Sequence, residues 1–211
     1  MTSSQEGGKS LHAVCLDKIT GKLLHDVEVL GAEDAGPKHR LNGYASPTPV
    51  LDGKHVFVHF GPRGTVCLDT AGKIIWKNIQ FEFNVIQGAA SSPILHGDLL
   101  ILTCDGIDHQ FIVALDKYTG KLKWKQPRAH LEAAAKVTNP DHGVNKMAYS
   151  TPLIQTINGK PQLICSGAFH SAAYNPATGK ELWWFPYTGY SIVGRPSYGN
   201  GLFYVVGSIR Q

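Results

Sequence analysis

Cysteine is scarce in this 211-residue chain, and no two of Cys15, Cys67, Cys104 and Cys165 are adjacent or spaced as Cys-x-x-Cys. That spacing excludes a dithiol redox motif and a cysteine zinc knuckle. Each cysteine lies in an apolar run, where a free thiol behaves as a small hydrophobe, so all four are expected to be buried and free. No apolar run approaches the roughly 20 residues of a membrane-spanning helix. The opening MTSSQEGGKS is polar and shows no signal-peptide core, so residues 1–10 read as a disordered tail. Charge of neither sign dominates: 20 Lys and Arg against 16 Asp and Glu leave +4, without an arginine-rich or basic-aromatic stripe, which argues against a nucleic-acid partner. The sequence also lacks a GxSxG elbow, a GxGxxG loop, a Walker loop and an HExxH helix. His55 and His59 fall on an expected strand, where four residues span about 13 Å, too far for one metal ion.

Helical periodicity is nearly absent. The exception is the stretch from Ala129 to Lys136, good helix formers inside a long insertion, expected to be a surface helix.

What the chain has in quantity is repetition. One pattern runs Cys15-Leu-Asp-Lys-Ile-Thr-Gly-Lys22 and returns as Cys67-Leu-Asp-Thr-Ala-Gly-Lys73. It recurs as Ala114-Leu-Asp-Lys-Tyr-Thr-Gly-Lys121 and Ala173-Tyr-Asn-Pro-Ala-Thr-Gly-Lys180. Three residues after the lysine comes Trp76, Trp124 or Trp183, with His25 in the first copy. A second pattern alternates with it: a small residue and proline, a short apolar run, a turn and a longer apolar run, as in Ser46-Pro47, Ser92-Pro93, Thr151-Pro152 and Arg195-Pro196. Each unit therefore holds four short strands. In the turn, Asp17, Asp69 or Asp116 can accept hydrogen bonds from N–H groups two or three residues on. The glycine (Gly21, Gly72, Gly120 or Gly179) allows a positive φ. The tryptophan offers a large apolar face to the next unit.

Four-stranded units spaced by 52, 47 and 59 residues mean an all-β propeller. Complete blades are expected at 46–78, 91–126 and 150–185, with half blades at 11–29 and 195–206 of a single propeller segment over 11–211. The A-L-D-x-x-T-G-K-x-x-W run resembles the blade of quinoprotein dehydrogenases and their non-catalytic PQQ-like relatives, over roughly residues 11–206. The resemblance implies six to eight blades, so an open arc is expected here, with residues 11–29 and 195–211 unpaired and prone to self-association. It also implies a periplasmic or secreted setting.

In a propeller the links between blades and the loops from strand two to strand three share one face. The links here are long, about 30–45, 79–90 and 127–149, and loops on a rigid scaffold are where binding concentrates. The candidate ligand-binding residues are His39, Arg40, Tyr44, Asn84, Asp108, His109, Asp141, His142 and His170. Two functions compete. One is a non-catalytic binding or scaffold module for a protein, peptide or carbohydrate, with no cofactor and no metal. The other is a fragment of a PQQ-dependent dehydrogenase oxidising alcohols or sugars, which the resemblance would equip with PQQ and Ca2+. The chain has no adjacent cysteine pair of the kind that alcohol dehydrogenases of the family carry. Three of its four tryptophans occupy repeat slots, and Trp184 lies beside one of them. The binding module is therefore the preferred reading, with no catalytic residue assigned.

Overall fold

The computed structural model describes residues 1–128, 130 and 146–207. These residues form seventeen strands in five antiparallel sheets, with 3-10 turns at Glu6–Gly8 and Gly61–Arg63. The first sheet holds β1 (Thr2–Gln5), β2 (Ser10–Leu16) and β3 (Leu23–Gly31). Three four-stranded blades follow. They comprise β4 (Val50–Leu51), β5 (His55–His59), β6 (Thr65–Asp69) and β7 (Ile74–Asn78), then β8 (Ile94–His96), β9 (Leu99–Asp105), β10 (Gln110–Asp116) and β11 (Leu122–Pro127). The third blade is β12 (Leu153–Ile157), β13 (Lys160–Ser166), β14 (His170–Tyr174) and β15 (Glu181–Pro186). A two-stranded sheet of β16 (Ser197–Gly199) and β17 (Leu202–Tyr204) comes last and is not hydrogen-bonded to the first. The architecture is a partial β-propeller.

Two expectations need correction. Residues 1–10 are not a tail: β1 pairs with β2 from Thr2↔Ala13 to Gln5↔Ser10, and a tight turn joins them. The polar TSSQ hid a strand that lies at a sheet edge, where side chains can stay solvated. Cys15 is exposed, unlike the buried Cys67, Cys104 and Cys165: it lies in the wall of an open recess with Val27, Val56 and Leu68. The helix expected at 129–136 falls, but for one residue, outside the described residues.

The core lies between successive sheets. Leu11, Val29, Val58 and Val66 fill the first interface, Phe57, Cys67, Leu102 and Val113 the second, and Ile101, Ile112, Leu163 and Tyr174 the third. Turn chemistry repeats with the sequence. Asp17 Oδ1 accepts from the Ile19 and Thr20 amides, and Asp116 Oδ1 accepts from the Tyr118 and Thr119 amides. A β-bulge falls just before each of these turns, at Cys15/Leu16, Cys67/Leu68, Ala114/Leu115 and Ala173/Tyr174.

The tryptophan and glycine of the repeat form one device. The Trp76 ring lies where a Cβ on Gly120 of the next blade would come within 2.6 Å, and Trp124 stands in the same relation to Gly179. Trp76 Nε1–H donates to Lys117 O at 2.9 Å, and Trp124 Nε1–H to Pro176 O at 3.2 Å, in each case three residues before the glycine. Gly120 and Gly179 thus serve twice, adopting φ of +68° and +72° and leaving room for the indole. Trp183 is different: its Nε1–H donates to Gln162 of its own blade, and its ring lies against Phe203.

Candidate binding site on the link face

The links cross-bond at one end of the blades. Gln87, in the link between β7 and β8, is the hub. Its carbonyl accepts from the His39 amide at 3.2 Å and from Asn42 Nδ2 at 2.7 Å, both in the preceding link. Its side-chain oxygen accepts from the Tyr149 hydroxyl at 3.0 Å, in the following link. Tyr149 N–H donates to Ile192 O, and Ser191 N–H to Met147 O, which adds the link after β15. Gly88 must be glycine here, because Asn42 Nδ2 would stand 2.9 Å from its Cβ and its φ is +84°.

These four links enclose a recess of about 290 Å³ lined by His39, Leu41, Asn42, Gln87, Ala90, Tyr149, Ser191 and Val193. Burial pushes the Tyr149 phenol up to about 12, so it stays neutral and acts as a donor. At the recess the aliphatic side chains of Leu41 and Val193 are 78% and 68% exposed. The surface offers hydrogen-bonding amides and hydroxyls in the middle and apolar contact beside them.

A second, more apolar cavity of about 260 Å³ lies between the first two links, with Tyr44, Phe60, Arg63, Phe83 and Asn84 in its wall. Arg63 donates to Gly8 O at 2.9 Å and Lys9 O at 3.2 Å, which ties the β5–β6 loop to the β1–β2 turn.

The candidates named from sequence are scattered over this face. His39 lines the recess, Tyr44 and Asn84 line the second cavity, and Arg40 is exposed. Asp108 binds Asn84 through the backbone amide at 2.8 Å and the side-chain amide at 2.7 Å. Burial pushes the Asp108 carboxyl up, but the amides of Asn84 and His109 outweigh it and hold it below its ordinary range. Asp108 and His109 also line a polar groove of about 530 Å³ with Glu82 and Lys125. Asp141 and His142 lie outside the described residues. His170 is not a solvated loop residue: it is 1% exposed at the start of β14, and burial pushes its pKa down to about 3.

Reading the sequence for candidates missed Gln87 as the hub and Ser191 altogether. It also missed a buried ion pair between the third and fourth sheets. Arg128 bonds Asp105 and donates to Cys165 O at 3.3 Å, while Asp105 Oδ1 and Arg128 Nε have no partner among the described residues. On the first sheet, Ser10 Oγ lies 2.8 Å from His12 Nε2, and His12 Nδ1 lies 2.7 Å from Asp26 Oδ1. The connectivity is that of a hydrolytic triad. Ser10 is buried, however, and none of the cavities described here reaches it. The three residues tie β2 to β3 beside a bulge.

Comparison with known proteins bears on the fold and the family. A model of the family described as outer membrane protein assembly factor BamB matches residues 9–148. BamB from Moraxella catarrhalis superposes with a TM-score of 0.60 at 13% identity, over 98% of this chain and 57% of that one. A europium-containing methanol dehydrogenase superposes with a TM-score of 0.58 at 12% identity, over 89% of this chain and 42% of that one. The quinohemoprotein alcohol dehydrogenase of Comamonas testosteroni gives 0.56 at 16% identity, over 86% and 34%. The chain thus spans little more than half the length of the first of these and less of the others. No curated protein sequence matches it.

Proposed function

Because the chain belongs to the family described as outer membrane protein assembly factor BamB, we propose that it is a non-catalytic binding or scaffold module working outside the cytoplasm. The link face is its working surface, and a segment of another protein is its ligand. One observation carries this reading. Four links, far apart in sequence, are cross-bonded through Gln87 into a fixed recess with exposed Leu41 and Val193 beside it. A surface held by its own hydrogen bonds loses little entropy when a ligand settles on it. An extended peptide would match its mixture of amides, hydroxyls and aliphatic groups better than a sugar, which lacks apolar side chains for Leu41 and Val193.

The dehydrogenase alternative needs a quinone held with a calcium ion, and a hard cation of that kind takes six or more oxygen ligands, carboxylates among them. The recess lining contains no carboxylate and no tryptophan. Among the described residues, no three His, Cys, Asp or Glu side chains are grouped to hold a metal. The fit of these residues to such a group is poor.

The test is a pair of titrations. A peptide array spanning periplasmic proteins should yield ligands whose binding is lost in Leu41→Asp/Val193→Asp and weakened in Gln87→Ala, with thermal midpoints checked for each variant. PQQ with calcium should give no bound-quinone spectrum and no dye-linked oxidation of alcohols or sugars. A bound quinone with turnover would overturn the reading in favour of the dehydrogenase. Binding of carbohydrate alone would overturn the choice of ligand.

A further inference from the structure

The hydrogen bonds that build the link-face recess occupy its amide acceptors and leave donors unused. Gln87 O takes two donors, the His39 amide and Asn42 Nδ2. Asn42 Oδ1 takes two as well, the Gly43 amide and the Ser46 hydroxyl. Gln87 Oε1 takes the Tyr149 hydroxyl. His39 Nδ1 accepts the Leu41 amide at 3.2 Å, which puts the proton of the neutral imidazole on Nε2. Three donor groups are then unused among the described residues: His39 Nε2–H, the side-chain N–H groups of Gln87 and the Ser191 hydroxyl. All three belong to residues that line the recess.

Charge on the same links has one sign. The segments that enclose the recess, 37–44, 85–92, 146–151 and 188–196, carry Lys38, Arg40, Lys146 and Arg195 and no Asp or Glu. The bias is local, because the whole chain has 16 Asp and Glu against 20 Lys and Arg. Arg40 and Arg195 are exposed. None of the four cations forms an ion pair among the described residues. Lys38 Nζ lies 5.4 Å from the centroid of the Tyr44 ring, a contact that orients the ammonium without neutralising it.

Unused donors and uncompensated cations ask the same of a ligand, which is negatively charged oxygen. A carboxylate accepts from amide N–H and hydroxyl groups alike, and such charge-assisted bonds are about twice as strong as neutral ones. One carboxylate would satisfy the recess alone. The four cations are spread over three links, so a run of carboxylates suits the face better than a lone chain terminus. The exposed Leu41 and Val193 call for aliphatic side chains among those carboxylates.

We propose that the ligand of the link face is an acidic segment of another protein, with Asp or Glu set between aliphatic residues. One carboxylate sits in the recess on Gln87 and Ser191, and its neighbours face Lys38, Arg40, Lys146 and Arg195. The aliphatic side chains between them rest on Leu41 and Val193. This rests on the binding-module reading above and narrows it from any peptide to an acidic one. The cations steer the encounter and reject basic segments, while the donors of the recess set the register.

Fluorescence anisotropy with three labelled peptides tests this. They repeat Ser-Glu-Val, Ser-Gln-Val or Ser-Lys-Val, so only the charge differs. The acidic peptide should bind at least about tenfold more tightly than the neutral one, as hydrogen bonds to a charged group imply. Its affinity should fall as salt is raised, and the basic peptide should not bind. Gln87→Glu keeps the acceptor for Tyr149 and replaces the side-chain N–H groups with oxygen. It should weaken the acidic peptide about tenfold or more and leave the neutral one little changed. Arg40→Glu/Arg195→Glu should reverse the order and favour the basic peptide, a gain that misfolding could not produce. Equal binding of the acidic and neutral peptides overturns the acidic ligand and leaves the binding module standing. So does an order that neither Gln87→Glu nor the double charge reversal changes. Binding of none of the three overturns the acidic ligand, and if the peptide array yields no ligand either, the binding module falls with it.

Discussion

Substituting alanine for a repeat glycine separates the two tasks assigned to that residue. Gly21 and Gly120 have nearly the same backbone, φ +70° and +68°, but a Cβ on Gly21 meets empty space and one on Gly120 meets Trp76 at 2.6 Å. Gly21→Ala should cost only the left-handed backbone penalty, about 1 kcal/mol. Gly120→Ala adds overpacking against the indole, about 1–3 kcal/mol, for roughly 2–4 kcal/mol in all. In a protein of this size each kcal/mol lowers the thermal midpoint by about 2–4 °C, so calorimetry or urea titration resolves the difference. Trp76→Ala alone should cost about 3–5 kcal/mol. In that background Gly120→Ala should fall back to about 1 kcal/mol, because the atom it strikes is gone, leaving a coupling of about 1–3 kcal/mol. Equal costs for Gly21→Ala and Gly120→Ala, or an undiminished Gly120→Ala penalty without Trp76, would refute the docking account.

Acid should destabilise the fold through its buried imidazoles. Burial holds His59 at about 4 and His170 at about 3, below the ordinary value of 6.5, so the unfolded chain binds more protons. The stability is whole above about pH 6.5 and is lost as pH falls towards 4, by about 3 kcal/mol per histidine. Asp105, pushed up to about 6 by burial against the pull of Arg128, acts in the opposite sense and offsets part of this. Urea unfolding at pH 7 and pH 4 measures the slope, which His59→Gln should flatten; an unchanged slope would remove His59 as a cause. Arg128→Ala should cost about 3–5 kcal/mol because it strands the buried Asp105 carboxylate. The double variant Arg128→Met/Asp105→Leu should cost less than that single substitution, and if it cost the sum of the two singles the pair would not be coupled.

The blade and its turn were legible because the same physics is written four times. Asp116 and Gly120 each answer to a local backbone demand, and a demand met within six residues shows in the sequence. The position of Trp76 showed too, as a large apolar group in a fixed slot, but its acceptor, the carbonyl of Lys117, did not. A backbone carbonyl carries no residue identity, so nothing in the sequence marks which one an indole will reach. β1 was missed for a related reason: Thr2–Gln5 are held by pairing with β2, and polar edge residues give no period-two signal. His170 misled because its neighbours Ser166, Gly167 and Ser171 read as a loop, whereas the next strand and Arg128 close over them.

The recess was the least legible part, and its construction explains why. Its hub acts through main chain as much as side chain: Gln87 O gathers two donors from the preceding link, and only the Gln87 amide oxygen, taking Tyr149, depends on the residue type. The residue that makes the gathering possible is Gly88, where the approach of Asn42 Nδ2 leaves no room for a side chain. Binding residues on such a face are chosen by where links of different blades meet, some 45–60 residues apart in sequence. The repeat spacing fixes where those meetings occur, while the links themselves do not repeat. On the binding-module reading proposed above, altering Leu41 or Val193 would change the ligand without disturbing the Trp–Gly contacts that hold the blades together.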